Sequence, residues 1–228
     1  ILASDLGVAR TIIRYLDQAP VFGRTGLSVS CEASVLWEDL VTYAIAEDLD
    51  GLTILSGIPG TVAGAIAGNA GAYGASVSDI LEDVTILTKD GRIRTLPREE
   101  VGFSYRDSLL KRSGDIILSA RFLLKPGKGV EAMMRVRNGI IQSRRRKHGN
   151  WKENPSAGSF FRNVLPSSKA GERQAAGWFL EQAGAKTLRV GGAFTLPQHA
   201  NIITHDGTGS AQDVLEISQK MAKAVKGM

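Results

Sequence analysis

The spacing of apolar and polar residues predicts strands and helices that alternate along the chain. Residues 11–16 and the run around Val29 have the alternation and β-branched content of strands. Apolar positions then recur at helical spacing up to residue 46, and Ser34 is the expected N-cap of this helix. Asp50-Gly51 ends the helix and leads into a glycine-rich stretch.

A β-hairpin is predicted over residues 84–96, where two strand patterns flank the turn residues Lys89-Asp90-Gly91. The longest strand candidate covers residues 116–124, and Pro126-Gly127 closes it. We place a domain boundary there and expect domains over residues 1–125 and 126–228.

The second part of the chain predicts three helices and a short sheet. Helices are expected over residues 130–146 and 175–183, and strands over residues 187–194 and 201–204. Ser210 and Asp213 have the spacing of a capping box, so a last helix should begin there. Its inward positions are expected to be Val214, Leu215, Ile217, Met221 and Val225.

The glycine-rich stretch at residues 56–74 is the most informative segment. Its opening, residues 57–60, predicts a tight turn, since proline fixes its own φ and the flanking glycines accept positive φ. Gly60, Gly64 and Gly68 would form one bare stripe on a helix, where a backbone or a flat ligand can lie close. Free N–H groups at a helix start also suit a phosphate. A small-residue helix packed on a sheet explains the same pattern equally well, and the P-loop and dinucleotide fingerprints are both absent from the segment.

Composition favours an ordinary soluble globular protein. The chain has 228 residues, of which 43% are hydrophobic and 22% charged, and no apolar run approaches the roughly 18 residues of a membrane span. The single cysteine, Cys31, lies in an alternating run and is expected to fill a core, which fits a reducing cytoplasm. The net charge of +5 suggests anionic ligands and falls short of a dedicated nucleic-acid binder. His199 and His205 lack further ligands nearby in the sequence, so we expect no metal site.

Four ordered segments carry a family resemblance. The stretch G-I-P-G-T-V-A-G-A followed by N-A-G-A-Y-G resembles the flavin-binding signature of the bacterial UDP-N-acetylenolpyruvoylglucosamine reductases, and three further matches follow it in order. These matches are Tyr105-Arg106-Asp107-Ser108, Gly158-Ser159-Phe160-Phe161-Arg162-Asn163 and His199-Ala200-Asn201-Ile202-Ile203. Ala63 and Arg162 depart from the usual glycine and lysine of the family.

The resemblance implies an α+β protein: a partial FAD-binding domain of the vanillyl-alcohol-oxidase type, then a small α+β substrate domain. It implies NADPH-dependent reduction of UDP-N-acetylglucosamine enolpyruvate to UDP-N-acetylmuramate, a cytoplasmic step of peptidoglycan synthesis, with FAD and NADPH as cofactors. The short spacing between Arg106 and Ser159 resembles the compact subtype, which lacks an inserted tyrosine loop. The family's N-terminal Gly-Gly-Gly-Ser-Asn segment and C-terminal glutamate have no match here, so a truncated chain with weak flavin retention is expected.

Residue roles are implied by the same matches. Ser159 would be the proton donor and Arg106 the cation that holds the substrate carboxylate; without the resemblance, Arg106 reads as a surface arginine paired with Asp107 or another acid. The implied flavin contacts are Gly57, Ile58, Pro59, Gly60, Thr61, Gly64, Asn69, Gly71, Ala72 and Tyr73. The implied substrate contacts are Tyr105, Arg145, Lys147, Arg162, Asn163 and His199, with one basic residue of 144–147 on the diphosphate.

Two other functions fit parts of the pattern. A different flavin oxidoreductase of this fold, acting on an alcohol or lactone, would share the glycine segment. A non-catalytic basic module could use residues 144–148 to bind nucleic acid, although aromatic residues interleaved with the basic ones are lacking. The preferred partner is a small UDP-sugar, without nucleic acid or membrane, and we favour a monomer.

Overall fold

The computed structural model describes residues 5–7, 9, 19–149, 153, 155–164 and 174–228. Internal contacts divide the chain into two compact units, a larger unit over residues 13–142 and a C-terminal unit that combines residues 143–228 with the N-terminal segment. Asp5 belongs to the latter, where its carboxylate accepts a hydrogen bond from the Ala211 N–H. This division falls later than the predicted one at 125/126, and the domain boundary stays a prediction. The strand expected at residues 11–16 lies outside the described residues.

The larger unit is built on an antiparallel sheet with helices and short strand pairs around it. Its elements are β1 (Phe22–Thr25), β2 (Ser28–Glu32), α1 (Trp37–Ala46), β3 (Leu49–Asp50), α2 (Val62–Ala67), β4 (Gly71–Ala72), β5 (Ala75–Ser76), β6 (Leu81–Leu87), β7 (Ile93–Pro97), α3 (Leu110–Ser113), β8 (Ile116–Leu123), β9 (Lys125–Pro126) and the start of α4 (Val130–His148). The sheet has the order β1-β2-β8-β6-β7. Strand β9 pairs with β3.

Hydrophobic alternation explains the sheet. Val29 and Cys31 point into the core from β2, and Val84 and Ile86 do so from β6. The predicted hairpin is confirmed, because β6 and β7 pair from Asp83 with Pro97 to Leu87 with Ile93. The long strand expected over 116–124 is confirmed as β8, which lies between β2 and β6. Cys31 is confirmed as a core residue, and its burial, with the nearby Glu32, raises the pKa of its thiol to about 12.

The first predicted helix is confirmed, but its predicted N-cap is wrong. Helix α1 begins at Trp37 with Leu36 at the N-cap position and no side-chain cap. Ser34 is buried, and its hydroxyl has no hydrogen-bond partner among the described residues. The cause is tertiary pairing: Ala33 and Val35 accept hydrogen bonds from the N–H groups at the start of α2, which keeps this stretch extended.

The C-terminal unit packs two helices on a small sheet. Its elements, after the end of α4, are α5 (Ala176–Gln182), β10 (Arg189–Val190), β11 (Ala193–Leu196), β12 (His199–His205) and α6 (Ala211–Lys226). The strands form an antiparallel sheet in the order β10-β11-β12. Buried apolar side chains from α5, α6 and the sheet form a separate core, which includes Leu180, Ile203, Ile217 and Met221.

Most predicted elements of this unit are confirmed, with two corrections. The helices α4 and α5, the strand at 201–204 and the Ser210 capping box are all present. The single strand expected over 187–194 is wrong, because the chain reverses at Gly191, where φ is +50°, and so forms two strands. Leu215 is also not an inward position, since it is 46% exposed. Within the described residues no helix is long and apolar enough to cross a membrane.

Candidate functional site

The glycine turn, residues 57–61, shapes the start of α2. Gly57 and Gly60 adopt positive φ values of +71° and +111°, as the predicted tight turn requires. Thr61 is the N-cap, and its Oγ1 accepts a hydrogen bond of 3.3 Å from the Gly64 N–H. The predicted glycine stripe is wrong, because α2 has only six residues: Gly60 precedes it, Gly68 is its C-cap, and only Gly64 lies inside.

Free donors remain on this turn. Among the described residues, the N–H groups of Ile58 and Gly60 have no hydrogen-bond partner, whereas the Gly57 N–H donates to Glu38 Oε2 at 2.7 Å. A Cβ on Gly60 would meet no atom within 4 Å, so the backbone there borders open space. Two free donors beside open space suit an anion.

A second segment, Asn69–Tyr73, follows α2 and has an unusual backbone. Asn69 and Tyr73 have positive φ values of +40° and +52°, which non-glycine residues adopt rarely. The Asn69 side chain is buried and bonds to two backbone groups, the carbonyl of Ser104 and the N–H of Ser78, each at 3.0 Å. Asn69 therefore fixes this segment to neighbouring loops, while Tyr73 remains 54% exposed.

Arg106 lies against the Asn69–Tyr73 segment. Its guanidinium donates to the carbonyl oxygens of Gly71 and, at 3.5 Å, Asn69, and it lies 5.5 Å from the centroid of the Tyr105 ring. Its own φ is +57°. The alternative pairing of Arg106 with Asp107 is not found, because Asp107 pairs with Arg112 instead. The hydrogen bond from Arg112 lowers the pKa of Asp107. The structure thus brings Arg106 together with two of the predicted flavin residues.

In the C-terminal unit, Ser159 lies on a short extended segment held against β12. Ser159 forms a bridge with Ile202, and the Phe160 N–H donates to the Asn201 carbonyl at 2.8 Å. The Asn201 side chain accepts from the Phe161 N–H and donates to the Phe161 carbonyl, both at 2.8 Å. The Ser159 residue is exposed, and its hydroxyl has no hydrogen-bond partner among the described residues.

Asn201 lies in the segment 199–203, but no role was predicted for it. The available signal was the predicted strand over 201–204, in which Asn201 stands between the apolar residues Ala200 and Ile202. A buried asparagine needs partners for its amide, and Asn201 is only 2% exposed. Its partners are the N–H and the carbonyl of Phe161, two residues after Ser159.

Two predicted substrate residues, Arg162 and Asn163, come directly after Phe161 in the chain. Arg162 is exposed, and the Asn163 Oδ1 accepts a hydrogen bond of 3.1 Å from the Ala176 N–H at the start of α5. Asn163 therefore caps a helix in this structure. Its role as a substrate contact stays a prediction, as does that of Arg162.

His199 lies beside a second imidazole, that of His148. The ring centroids are 5.7 Å apart, and His199 Nδ1 accepts a hydrogen bond from the Asn201 N–H at 3.2 Å, which leaves Nε2 to carry the proton of the neutral ring. Burial lowers the pKa of both histidines, and the neighbouring His199 lowers that of His148 further. Across the described ranges no group of three possible ligands could hold a metal ion.

The last turn of α4 carries a basic cluster. Arg145, Arg146 and Lys147 are exposed there and form no ion pair with any described acid. Cations at a helix C-terminus are favoured by the helix dipole, which explains part of their placement. Their charges remain available to an anionic ligand.

Comparison with known proteins identifies the two parts of the chain. A model described as FAD binding domain matches residues 12–97, and one described as UDP-N-acetylenolpyruvoylglucosamine reductase, C-terminal domain, matches residues 150–228. The UDP-N-acetylenolpyruvoylglucosamine reductase of Clostridium novyi is 33% identical over 226 residues, which cover 99% of this chain and 70% of that protein. The chain belongs to the UDP-N-acetylenolpyruvoylglucosamine reductase family.

Other members of this reductase family agree with the assignment. The reductase of Anoxybacillus flavithermus is 41% identical over 188 residues, covering 82% of this chain and 59% of that protein. The solved UDP-N-acetylenolpyruvylglucosamine reductase of Thermus caldophilus is 34% identical with a TM-score of 0.70, covering 84% of this chain and 66% of that chain. The predicted family, its FAD-binding fold and its enzyme class, a flavoprotein reductase that uses NADPH, are therefore confirmed.

The residues present fit the flavin of this reductase family. The diphosphate of FAD is an anion that accepts hydrogen bonds from backbone N–H groups, and the glycine turn offers two such donors beside open space. The individual flavin contacts predicted from the sequence, from Gly57 to Tyr73, remain predictions.

Proposed function

We propose that this chain forms the flavin-binding and substrate-binding parts of an enzyme that reduces UDP-N-acetylglucosamine enolpyruvate to UDP-N-acetylmuramate with NADPH, in peptidoglycan synthesis. The observation that carries the proposal is the exposed Ser159 hydroxyl, which lies on a segment that Asn201 holds to β12 through Phe161, within the part that matches the reductase C-terminal model. This match also favours the nucleotide sugar over the alcohol or lactone of the alternative flavin oxidoreductase.

Ser159 acts as the proton donor. FAD, when bound, supplies the hydride that it has received from NADPH. Reduction of the enolpyruvyl double bond then needs a proton on the neighbouring carbon, and the Ser159 Oγ–H provides it. An alcohol is a weak acid, so this transfer requires an enolate-like acceptor whose charge is held by a cation.

Arg106 is that cation. Its guanidinium presents five N–H donors in a plane that matches a carboxylate. The carbonyls of Asn69 and Gly71 use two of these donors and hold the group in place. Its remaining donors can bind the enolpyruvyl carboxylate, with the Tyr105 ring alongside.

The nucleotide is bound by basic and polar side chains. Arg145 and Lys147 bind the diphosphate, since both are exposed and neither pairs with a described acid. Arg162, Asn163 and His199 contribute further contacts, and the neutral His199 offers its Nε2 as a donor. These roles require that the substrate is a UDP-sugar.

The proposal includes a cytoplasmic protein that works as a monomer, without a nucleic-acid or membrane partner. The single cysteine suits a reducing compartment. Salt-dependent binding to DNA or RNA would argue for the alternative basic module.

Anaerobic mixing with NADPH and then with the enolpyruvyl sugar tests the proposal. We expect the wild-type flavin absorbance to bleach in the first step and to recover in the second. Ser159→Ala should bleach normally and recover at least a hundredfold more slowly, in line with the 10²–10⁴-fold effect of general acid catalysis. Ser156→Ala, three residues earlier in the same loop, is the matched control and should behave as wild type. Equal recovery in Ser159→Ala would remove Ser159 from this role.

A further inference from the structure

Glu38 connects α1 to the glycine turn. Its Oε2 accepts the hydrogen bond from the Gly57 N–H at 2.7 Å. Gly57 is the residue whose positive φ opens the turn, and this bond fixes the direction of the Ser56–Gly57 peptide that leads into it. The two free donors of the turn, the N–H groups of Ile58 and Gly60, come directly after that peptide in the chain.

A second residue, Arg137 on α4, holds the same carboxylate. Arg137 Nε donates to Glu38 Oε1 at 2.8 Å, and Arg137 Nη2 forms an ion pair with the same oxygen at 2.6 Å, which leaves Oε2 to Gly57. The pair is largely covered, with side-chain exposures of 19% for Arg137 and 30% for Glu38. Ion pairs of this kind have a demanding geometry, and removal of one partner leaves the other charge poorly solvated.

The charge balance gives this arrangement a consequence for an anionic ligand. A bare carboxylate hydrogen-bonded to a turn that binds a diphosphate would repel it, since both carry negative charge. The guanidinium of Arg137 neutralises Glu38 without competing for the Gly57 N–H. The Glu38–Arg137 pair can therefore hold the turn without placing a net negative charge beside a bound diphosphate.

We infer that Glu38 and Arg137 are positioning residues for the flavin: together they hold the glycine turn, through the Gly57 N–H, in the conformation that binds the FAD diphosphate. The inference rests on the proposed function in that it takes the turn as the flavin site. Neither residue touches the reacting atoms in this scheme, and both act through Gly57.

Measurement of FAD affinity tests the inference: the protein is stripped of flavin and then titrated with FAD, and binding is followed by fluorescence quenching. Glu38→Ala should weaken FAD binding by about ten- to a hundredfold, the factor expected for loss of a hydrogen bond to a charged group. Arg137→Met should weaken it at least tenfold. Glu38→Gln in the Arg137→Met background should restore part of the affinity, since it removes the unpaired charge and keeps an oxygen acceptor for Gly57.

Two matched variants control for surface charge. Asp39→Ala removes the neighbouring acid of the same helix turn, which is exposed and forms no side-chain hydrogen bond or ion pair with any described residue. Arg135→Met removes an arginine of α4 that pairs only with the exposed Glu131 among the described acids. Both should bind FAD as wild type does. At saturating FAD the Glu38→Ala and Arg137→Met variants should regain near wild-type turnover, which a general loss of folding would not allow.

The inference is overturned if Glu38→Ala binds FAD as tightly as Asp39→Ala, or if Glu38→Gln brings no recovery in the Arg137→Met background. Failure of the proposed function gives a different result. A wild-type protein that binds FAD but does not reduce the enolpyruvyl sugar refutes the function alone, and a wild-type protein without FAD affinity refutes both.

Discussion

Substitution of Asn201 by alanine should show how far the position of Ser159 depends on Asn201, since the Ser159 hydroxyl itself is kept. The change removes the amide that bonds to both the N–H and the carbonyl of Phe161, and the backbone bond from Phe160 to the residue 201 carbonyl remains. Loss of one neutral hydrogen bond lowers the free energy of unfolding by about 1 kcal/mol, and by about 2 kcal/mol or more where the remaining group stays buried without a new partner. Because Phe161 is half-buried, we expect a loss of about 2–4 kcal/mol. The midpoint of thermal unfolding should fall by roughly 4–16 °C for a chain of this size.

The consequence for catalysis follows from geometry. Without the amide, the Ser159 segment is held to β12 by fewer bonds, and a displacement of about 1 Å can cost a hundredfold in rate. Stopped-flow mixing below the unfolding range should show normal bleaching by NADPH and recovery with the enolpyruvyl sugar that is about ten- to a hundredfold slower than wild type. Gln198→Ala, an exposed residue before β12, is the control. Normal recovery in a destabilised Asn201→Ala protein would refute the argument, because the amide would then serve packing alone.

Three other outcomes are expected. A thiol reagent should not label Cys31 in the folded protein, since burial raises its pKa to about 12, and should label it after unfolding in urea. The free energy of unfolding should fall as the pH drops below 6.5, because unfolded His148 and His199 bind protons that their folded forms, with lowered pKa, do not; urea titrations at several pH values measure this. Asp213→Asn should cost about 1 kcal/mol in chemical unfolding, since it weakens the capping box of Ser210.

A different result would refute each of these three predictions. Rapid labelling of Cys31 under native conditions would show that the strand opens locally. Glutamine at positions 148 and 199 should abolish the pH dependence between the lowered pKa and 6.5, and an unchanged slope would assign it to other groups. Full stability of Asp213→Asn would mean that the hydrogen bond from Asp213 N–H to Ser210 Oγ suffices to begin α6.

Local patterns predicted the elements whose stability comes from their own residues. The hairpin of β6 and β7, the central strand β8 and the Ser210 capping box each carry the required alternation or cap in sequence. Errors arose where contacts distant in sequence decide. Ser34 has the chemistry of an N-cap, yet backbone bonds to the start of α2 keep its stretch extended. The reversal at Gly191 depended on a positive φ that a strand pattern does not reveal.

The candidate site was predictable to a similar degree. The glycine turn was recognised from Gly57 and Gly60, because proline and glycine restrict the backbone directly. The identity of the groups that bond to it was not, since nothing in the sequence connects Glu38 with Gly57 or Arg137. Asn201 was missed for the same reason: its partners lie about forty residues earlier, at Phe161.

The contact between Gly71 and Arg106 limits how this chain can vary. A Cβ at position 71 would lie 3.0 Å from Arg106 Nη1 and 2.6 Å from the Ala75 carbonyl oxygen, so even alanine would force the guanidinium and the turn apart. Lysine at position 106 could not replace the arginine, since a single ammonium cannot reach both carbonyls and stack on an aromatic ring. The two positions therefore form one structural unit: a redesign of the Asn69–Tyr73 segment has to keep both residues or exchange both together.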